Sequence, residues 1–320
     1  MIYLATKNGL VSVEIEHAGN WRAVRRSLDG QAVSAVTAQG KAVLAGTTTG
    51  IFRSEDGGQS WQAASEGLNH PHVRWMAHFP EDAGCVFAGT EPAGIFISQN
   101  GGETWRSCPE VTDMRDRFRW SLPYSPEAGC VRGFAFNGSR GYAAVEVGGV
   151  LRTDDGGETW HLAEGSNGKP GFSVPAEPLI HPDVHSIYTH PSSPELVYAP
   201  TGGGFYRSMD GGKTWSNRYI CYTRAAWIDP ADPEHIVLGP ADSVSRGGRI
   251  EETWDGGATW EDASEGLNAP WPRNMVERFA AVGQGLAAVL ANGEVLVRPF
   301  EGGVWTRVFE DIPGVQAVAG

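Results

Sequence analysis

The residues RSMDGGKTW at 207–215 recur along the chain in four related copies. The copies are RSEDGGQSW at 53–61, ISQNGGETW at 97–105, RTDDGGETW at 152–160 and ETWDGGATW at 252–260. An acidic residue beside two glycines could present a carboxylate to a metal ion or a sugar. An active site does not need that group in every copy, so the repetition predicts a structural turn.

Each copy has the composition of a hairpin turn. An Asp can accept hydrogen bonds from loop amides, the glycines can adopt φ > 0, and the Trp can bury its ring beside the next strand. One copy has Asn100 in place of Asp, which a turn tolerates and a catalytic acid does not. A structural role is therefore expected for Asp56, Asn100, Asp155, Asp210 and Asp255.

The pattern Ser/Thr-x-Asp-Gly-Gly-x-Thr/Ser-Trp resembles the Asp-box, or BNR repeat. This repeat occurs in sialidases, sortilin-type receptors, xyloglucan-cleaving glycoside hydrolases and a photosystem assembly factor. The resemblance implies a β-propeller whose blades have strands a to d, with the box on the c-to-d turn. That turn lies on the face opposite the usual ligand face, so a ligand site is expected elsewhere.

Two further segments complete a set of seven units. GLVSVEIEHAGNW at 9–21 and GEVLVRPFEGGVW at 293–305 share the frame of residues 50–61 but have no Asp-box. A period of about 45 residues with four short strands is typical of a propeller blade. We therefore predict an all-β fold, a single seven-bladed β-propeller over residues 1–320, with blades ending near Trp21, Trp61, Trp105, Trp160, Trp215, Trp260 and Trp305.

The first unit has no strand a, because Met1 already begins its strand b. The segment GVQAVAG, Gly314–Gly320, follows the seventh Trp and has no blade of its own. We expect this segment to pair with the first blade and close the ring, which removes exposed strand edges.

Charge and hydropathy indicate which classes of partner and which cellular location to expect. The net charge is −13 and no stripe of Lys and Arg is present, so a nucleic acid is not expected as a partner. The sequence has no signal peptide and no run of about 18 apolar residues, so no membrane association is expected. Four cysteines without metal-ligand spacing indicate free thiols. Together these features predict a cytoplasmic protein.

A shared register predicts a ring of polar residues at the central channel. Prolines stand at one place in the turns HFPEDAG, THPSSPE and IDPADPE, and six residues earlier stand Arg74, His185 and Arg224. Aligning ASEGLNHPHVRW with ASEGLNAPWPRN places Arg273 with Arg74. We expect the arginines to clamp an anionic ligand at the start of the innermost strands.

Acidic residues are expected beside this ring, at the ends of the b strands. They are Glu91, Glu146 and Asp242, which with His185 could supply an acid and a base. The alternative is that Arg and Glu residues only pair with one another in a polar channel.

The long loop Pro109–Gly129 resembles a lid. Arg119, Trp120 and Tyr124 could form an aromatic and cationic platform for a planar or sugar-like ligand. The same composition would also suit a contact with a protein. A separate hypothesis is a divalent metal held by His70, His72 and His185, against which stands simple packing of histidines in loops.

Three functions remain open at this stage. The favoured one is binding of an anionic or sugar-like small molecule, with hydrolase or lyase activity as its catalytic form. The second is a non-catalytic platform for protein interaction or assembly. The third is a His-based, metal-dependent lyase or hydrolase. Sialidase activity is not expected, because seven blades are predicted and the Arg-Ile-Pro motif is absent, and a single propeller lacks the two-propeller cleft of xyloglucan-cleaving relatives.

Overall fold

The computed structural model describes residues 1–17, 20–125 and 128–320. These residues form seven four-stranded antiparallel sheets, and strands a of neighbouring sheets contact one another around the centre of a ring. The predicted seven-bladed β-propeller is confirmed. Ala18 and Gly19 in the first predicted c-to-d turn, and Pro126 and Glu127 in the predicted lid, lie outside the described residues.

Short strands build the first three blades. Blade 1 contains β1 (Ile2–Thr6), β2 (Gly9–His17), β3 (Asn20–Ser27) and, as strand a, β28 (Val315–Ala319). Blade 2 contains β4 (Val33–Gln39), β5 (Ala42–Thr47), β6 (Gly50–Ser54) and β7 (Gln62–Ala63). Blade 3 contains β8 (His72–Phe79), β9 (Asp82–Glu91), β10 (Gly94–Ser98) and β11 (Arg106–Ser107).

The remaining blades repeat this order. Blade 4 contains β12 (Cys130–Asn137), β13 (Arg140–Glu146), β14 (Gly149–Thr153) and β15 (His161–Leu162). Blade 5 contains β16 (Tyr188–His190), β17 (Ser193–Thr201), β18 (Gly204–Ser208) and β19 (Ser216–Tyr219). Blade 6 contains β20 (Tyr222–Asp229), β21 (Asp232–Ala241), β22 (Glu251–Thr253) and β23 (Glu261–Asp262). Blade 7 contains β24 (Val276–Val282), β25 (Gly285–Leu290), β26 (Val295–Pro299) and β27 (Thr306–Val308).

The ring closes between the two ends of the sequence. Strand β28 pairs antiparallel with β1, with Leu4 opposite Val318 and Tyr3 opposite Ala319. The predicted closing strand is therefore confirmed.

Each blade packs on the next through an apolar layer and buried indoles. The Trp105 indole Nε1 donates to the Ala64 carbonyl of the preceding blade at 2.9 Å, and Trp305 makes the same bond to Ala263 at 2.8 Å. A buried Trp thus contributes a large apolar surface and satisfies its polar group across the blade boundary. Trp61 and Trp160 donate instead to Gly58 and Gly157 of their own turns, at 3.2 and 3.1 Å, so the bond across the blade boundary is made in some blades and not in all.

The Asp-box residues use their hydrogen bonds within their own turn. In the second blade, Asp56 Oδ1 accepts from the Ser60 amide at 2.9 Å, and Oδ2 accepts from the Ser60 hydroxyl at 2.7 Å. The Ser54 hydroxyl donates to Asp56 and accepts from the Gly58 amide. Asn100 accepts from the Thr104 amide at 3.0 Å and donates to its hydroxyl at 3.0 Å, so the amide reproduces the contacts of the carboxylate.

One helix interrupts the strands of the described residues, α1 (Pro109–Phe118), which begins the predicted lid. Pro109 occupies the first turn, where its missing N–H is not needed, and Arg119 ends the helix in the left-handed conformation. Val111 is the buried residue of this helix. Throughout the described chain, every helix is too short or too polar to cross a membrane.

Candidate functional site

The centre of the propeller is lined by one residue from each blade. Near the start of strand a, the pairing with strand b skips one residue in blades 1 to 4 and 7, as it skips Arg74 between Val73 and Trp75. In blades 5 and 6 it skips more than one residue. Such a bulge re-aims the side chain of the extra residue. The residues at this position, in blade order from 1 to 7, are Gln316, Ser34, Arg74, Arg132, His185, Arg224 and Glu277.

The structure places Arg74, His185 and Arg224 at equivalent positions of this ring, as the register of the prolines predicts. It does not place Arg273 there. Arg273 is exposed before β24, and Glu277 occupies its expected position because the loop into blade 7 is longer by four residues. This longer loop corrects the assignment of Arg273 to the ring.

Arg132 belongs to the ring but was not predicted from the sequence. Blade 4 has Gly138 where blade 3 has Pro80. An alignment of the blades on proline alone therefore does not identify Arg132. Counting back six residues from Gly138 gives Arg132, and the same count from Gly283 gives Glu277. A turn signal that accepts either Gly or Pro would have found both residues.

A network of ion pairs ties the ring to the b strands. Arg74 Nη1 lies 2.8 Å from Glu91 Oε2, and Arg132 Nη1 lies 3.1 Å from Glu146 Oε2. Glu91 and Glu146 are buried at the ends of their b strands, where the sequence places them. Because their carboxylates contact guanidinium groups, much of the channel charge is internally neutralised.

Glu277 bridges two arginines of the ring. Its Oε1 lies 2.6 Å from Arg224 Nη1 and its Oε2 lies 3.7 Å from Arg132 Nη2. The Arg224 Nε also donates to the Tyr222 hydroxyl at 3.0 Å. These contacts fix the orientation of both guanidinium groups.

Arg278 differs from the ring arginines, because no carboxylate of the described residues lies within 4.0 Å of its guanidinium. Its Nη2 donates to the backbone oxygens of Ser34 and Arg74, at 3.2 and 3.4 Å, and its guanidinium lies 4.1 Å from the ring centre of Trp75. Burial and the nearby cations Arg132 and Arg74 lower the pKa of Arg278 to about 9. Keeping the Arg278 guanidinium charged at this position therefore costs free energy.

A cavity of about 230 Å³ opens at this point of the channel. Its wall contains cationic side chains and one carboxylate, that of Glu277. The cations are Lys7, Arg74, Arg132, Arg224 and Arg278. The cavity is large enough for a small polar molecule. The three ring arginines pair with carboxylates, so the excess positive charge of the wall comes from Lys7 and Arg278.

A second group of titratable side chains lies between blades 4 and 5. His185 Nε2 is 3.2 Å from Asp183 Oδ2, and His185 Nδ1 is 2.7 Å from the Thr223 carbonyl oxygen. Burial opposes ionisation of Asp183, but the nearby His185 holds the pKa of this carboxyl below its usual value. Burial likewise opposes ionisation of Glu146, whose pKa is nevertheless lowered, mainly by Arg132.

The other predicted site residues lie outside the ring. Asp242 is exposed and pairs with Arg249 at 3.2 Å, so it does not reach the channel. Arg119 is exposed at the end of α1. Trp120 is 2% exposed and donates to the Gly168 carbonyl at 2.8 Å, which makes it a core residue and not a platform for a ligand. The sequence around Trp120 indicates a loop, and it gives no sign that the indole is buried in the core.

Tyr124 does lie at a cavity. The residue is 55% exposed, while its hydroxyl bonds to Glu146. The cavity has a volume of about 380 Å³ and is also lined by Asp183, Tyr222 and Arg224. Tyr124 therefore covers the group between blades 4 and 5.

The predicted metal ligands His70, His72 and His185 do not lie close together. His70 Nε2 lies 3.3 Å from Arg115 Nη1, and His72 Nδ1 lies 3.7 Å from Glu91 Oε2. Among the described residues, the group whose ligand atoms could share one ion contains His185 with Glu146 and Asp183. It contains neither His70 nor His72, so the structure does not bring the three predicted ligands His70, His72 and His185 together.

The repeated turns and the ring of blades define the chain as a seven-bladed β-propeller built on BNR/Asp-box repeats. A family model for the BNR/Asp-box repeat matches residues 151–162, which span the box of blade 4. A search of curated proteins found no match.

Solved structures share the fold at low sequence identity. An ancestral GH74 enzyme has a TM-score of 0.64 and 16% identity, covering 96% of this chain and 40% of the enzyme. The GH74 xyloglucanase from Xanthomonas campestris has a TM-score of 0.64 and 18% identity, covering 91% of this chain and 47% of the enzyme. A structure of YCF48 bound to D1 peptide has a TM-score of 0.62 and 15% identity, covering 93% of this chain and 87% of YCF48. This chain thus spans less than half of these two GH74 enzymes and most of YCF48.

Proposed function

We propose that the protein binds an anionic small molecule, bearing a carboxylate or a phosphate, in the central channel. The observation that carries the proposal is Arg278, a largely enclosed cation without a carboxylate partner among the described residues, at the wall of a cavity lined by further cations. An anion in this cavity would remove an unfavourable interaction between like charges and gain charge-assisted hydrogen bonds.

The geometry favours a planar, forked anionic group. Guanidinium groups offer paired N–H donors that match a carboxylate or a phosphate. Arg74, Arg132 and Arg278 approach the cavity from three blades, so a ligand would be held from several sides. Ser34 and Gln316 add neutral hydrogen-bonding groups, which suit the hydroxyl groups of a sugar acid.

Turnover of such a ligand would take place beside the ring, where Glu146 and His185 stand near Arg132 and Arg224. A GH74-like fold supports a hydrolase, while the smaller extent of this chain removes the basis for assuming the same substrate. The ligand identified by binding is therefore the molecule to test for hydrolase or lyase activity.

A second candidate is a protein partner on the same face. Phe172, Val244 and Tyr124 are each more than half exposed and border the cavity between blades 4 and 5. An exposed apolar rim of this kind is typical of an interaction surface. The likeness to YCF48, solved with a peptide, supports this alternative at the level of the fold.

Titration calorimetry with inorganic phosphate, citrate and galacturonate tests the anion site. Each ligand that binds should also raise the melting temperature of the wild type. Arg278→Gln should weaken binding about tenfold or more, since a charge-assisted hydrogen bond contributes roughly 1.5–3 kcal/mol. Arg106→Gln, which removes a surface partner of Glu158, is the matched control and should bind like the wild type.

Equal binding to wild type and Arg278→Gln would place the anion elsewhere. No binding of any of these anions, together with capture of a peptide that requires Phe172, would favour the protein-partner alternative.

A further inference from the structure

Glu146, Asp183 and His185 form a buried cluster that anion binding by the arginines does not require. Glu146 ends β13, and the other two residues precede β16 in the next blade. Their exposed fractions are 3%, 7% and 2%, respectively. One ligand atom from each lies within 4.8 Å of the others. Oxygen and nitrogen ligands around a shared transition-metal ion are about 3–4 Å apart, so a small inward movement would complete the site.

The hydrogen bond of His185 decides which ring nitrogen is available. A carbonyl oxygen only accepts, so Nδ1, at 2.7 Å from the Thr223 oxygen, must carry a proton. In the neutral imidazole, Nε2 then has a lone pair. This nitrogen lies 3.2 Å from Asp183 Oδ2, a contact that either a proton or a metal ion between the two atoms would stabilise. Histidines that bind metals usually donate their second N–H to a carbonyl or carboxylate, as His185 does.

Asp183 gives a second, independent indication. Its Oδ1 is buried and has no hydrogen-bond partner in the described residues. Buried polar atoms are almost always satisfied, so an unsatisfied carboxylate oxygen points to a missing cation or donor. A Cβ at Gly202 would lie 2.4 Å from Asp183 Oδ2, so the glycine leaves the space that this carboxylate occupies.

We propose that Glu146, Asp183 and His185 bind one divalent transition-metal ion. One imidazole and two carboxylates suit Zn²⁺ or Mn²⁺ better than Mg²⁺, which prefers oxygen ligands alone. The thiol of Cys130 is a neighbour of Glu146 and donates to its Oε2 at 3.1 Å. Arg132 also holds this carboxylate, a contact that orients it toward the cluster.

The cluster opens on the cavity lined by Tyr124, Tyr222 and Arg224. The three protein ligands would leave coordination positions on that side for water or for an oxygen of a bound molecule. The ion would therefore be a reactive centre in contact with solvent. This inference does not depend on anion binding by Arg278.

Calorimetric titration of protein freed of metal by dialysis against EDTA tests the site, with ZnCl₂, MnCl₂ and MgCl₂ as probes. We expect one Zn²⁺ or Mn²⁺ per chain and weaker binding of Mg²⁺. Asp183→Asn and His185→Gln should each weaken binding about 10- to 100-fold. His70→Gln, which alters a histidine outside the cluster, should bind like the wild type.

A direct measurement on the wild type covers the case in which a variant does not fold. The ¹⁵N resonance of His185 Nε2 should shift when Zn²⁺ is added, and the Nδ1 proton should remain. An unchanged His185 spectrum, no bound ion, or undiminished binding in folded Asp183→Asn and His185→Gln proteins would each overturn the proposal.

Discussion

Asp210 Oδ1 accepts a hydrogen bond from the Thr214 amide at 2.9 Å, and Asp210 Oδ2 accepts one from the Thr214 hydroxyl at 2.6 Å. Both carboxylate oxygens are thus used within a single turn. Asn100 makes the equivalent bonds with an amide in blade 3. For the stability of the turn, the negative charge of the Asp is therefore less important than its two polar atoms.

This relationship predicts different effects of two substitutions. Asp210→Ala should lower the free energy of unfolding by about 1–2 kcal/mol, because turn amides lose their acceptor. Asp210→Asn should lose less than half of that amount. Denaturant unfolding of both proteins measures the difference, and equal losses would show that charge, not hydrogen bonding, stabilises the turn.

Acid should weaken the Asp-box turns. Burial raises the pKa of Asp155, but hydrogen bonds from Thr159 outweigh this effect and lower the pKa to about 2, from an ordinary value near 3.8. A lowered folded-state pKa stabilises the fold above the unfolded value, and this stabilisation is lost as the pH falls through the folded value. The melting temperature should therefore decline between about pH 4 and pH 2. Asp155→Asn should show a smaller decline over that interval; an identical decline in both proteins would contradict the prediction.

Close packing between blades should be sensitive to one added methyl group. A Cβ on Gly89 would lie 2.7 Å from Val131 Cγ1 and 2.8 Å from its backbone oxygen, on the next blade. Gly89→Ala should therefore lower the free energy of unfolding by about 1–3 kcal/mol. Gly84→Ala on the same strand is the control, because its nearest neighbours would be 3.4 Å away. Equal stability of the two variants would indicate that the blades can separate without cost.

Glu277 provides a test of the charge balance in the channel. Glu277→Gln removes the carboxylate that contacts Arg224 and Arg132, so the cavity becomes more positive. We expect anions to bind about 3- to 10-fold more tightly and stability to fall by roughly 1–3 kcal/mol. Calorimetry and thermal unfolding measure the two effects separately. Glu195→Gln, at a pair with Arg140 outside the channel, should leave anion affinity unchanged. Weaker anion binding by Glu277→Gln would contradict the proposed charge balance.

Ring closure can be tested by shortening the chain. Deleting Gly314–Gly320 removes β28 and leaves β1 without its inner neighbour. The whole propeller should then unfold at a lower temperature, since the inner edge of β1 becomes exposed. An unchanged unfolding midpoint would show that the pairing of Leu4 with Val318 contributes little to stability.

The sequence predicts the fold well because the fold depends on local and repeated signals. Each box specifies a turn, and each Trp marks the same blade boundary, so seven units can be counted without knowing any long-range contact. The closing strand follows because one unit lacks a strand and one segment is left over. Arg74, His185 and Arg224 could be placed together for the same reason.

The site is less predictable, since it depends on loop lengths and bulges. Four additional residues before β24 move Arg273 away and bring Glu277 into the ring. Trp120 is a core residue because it meets Gly168, a contact between two loops far apart in sequence. The cluster of Glu146 with His185 likewise joins different blades, and no short motif marks it.

The pairing of β28 with β1 also has a consequence for synthesis on the ribosome. Blades 2 to 7 are each built from contiguous sequence, so each can form soon after its fourth strand emerges. Blade 1 is different, because its inner strand is translated after all the other blades. The nascent protein must therefore carry β1 with an unpaired inner edge during most of its translation, a period in which a chaperone could protect that edge.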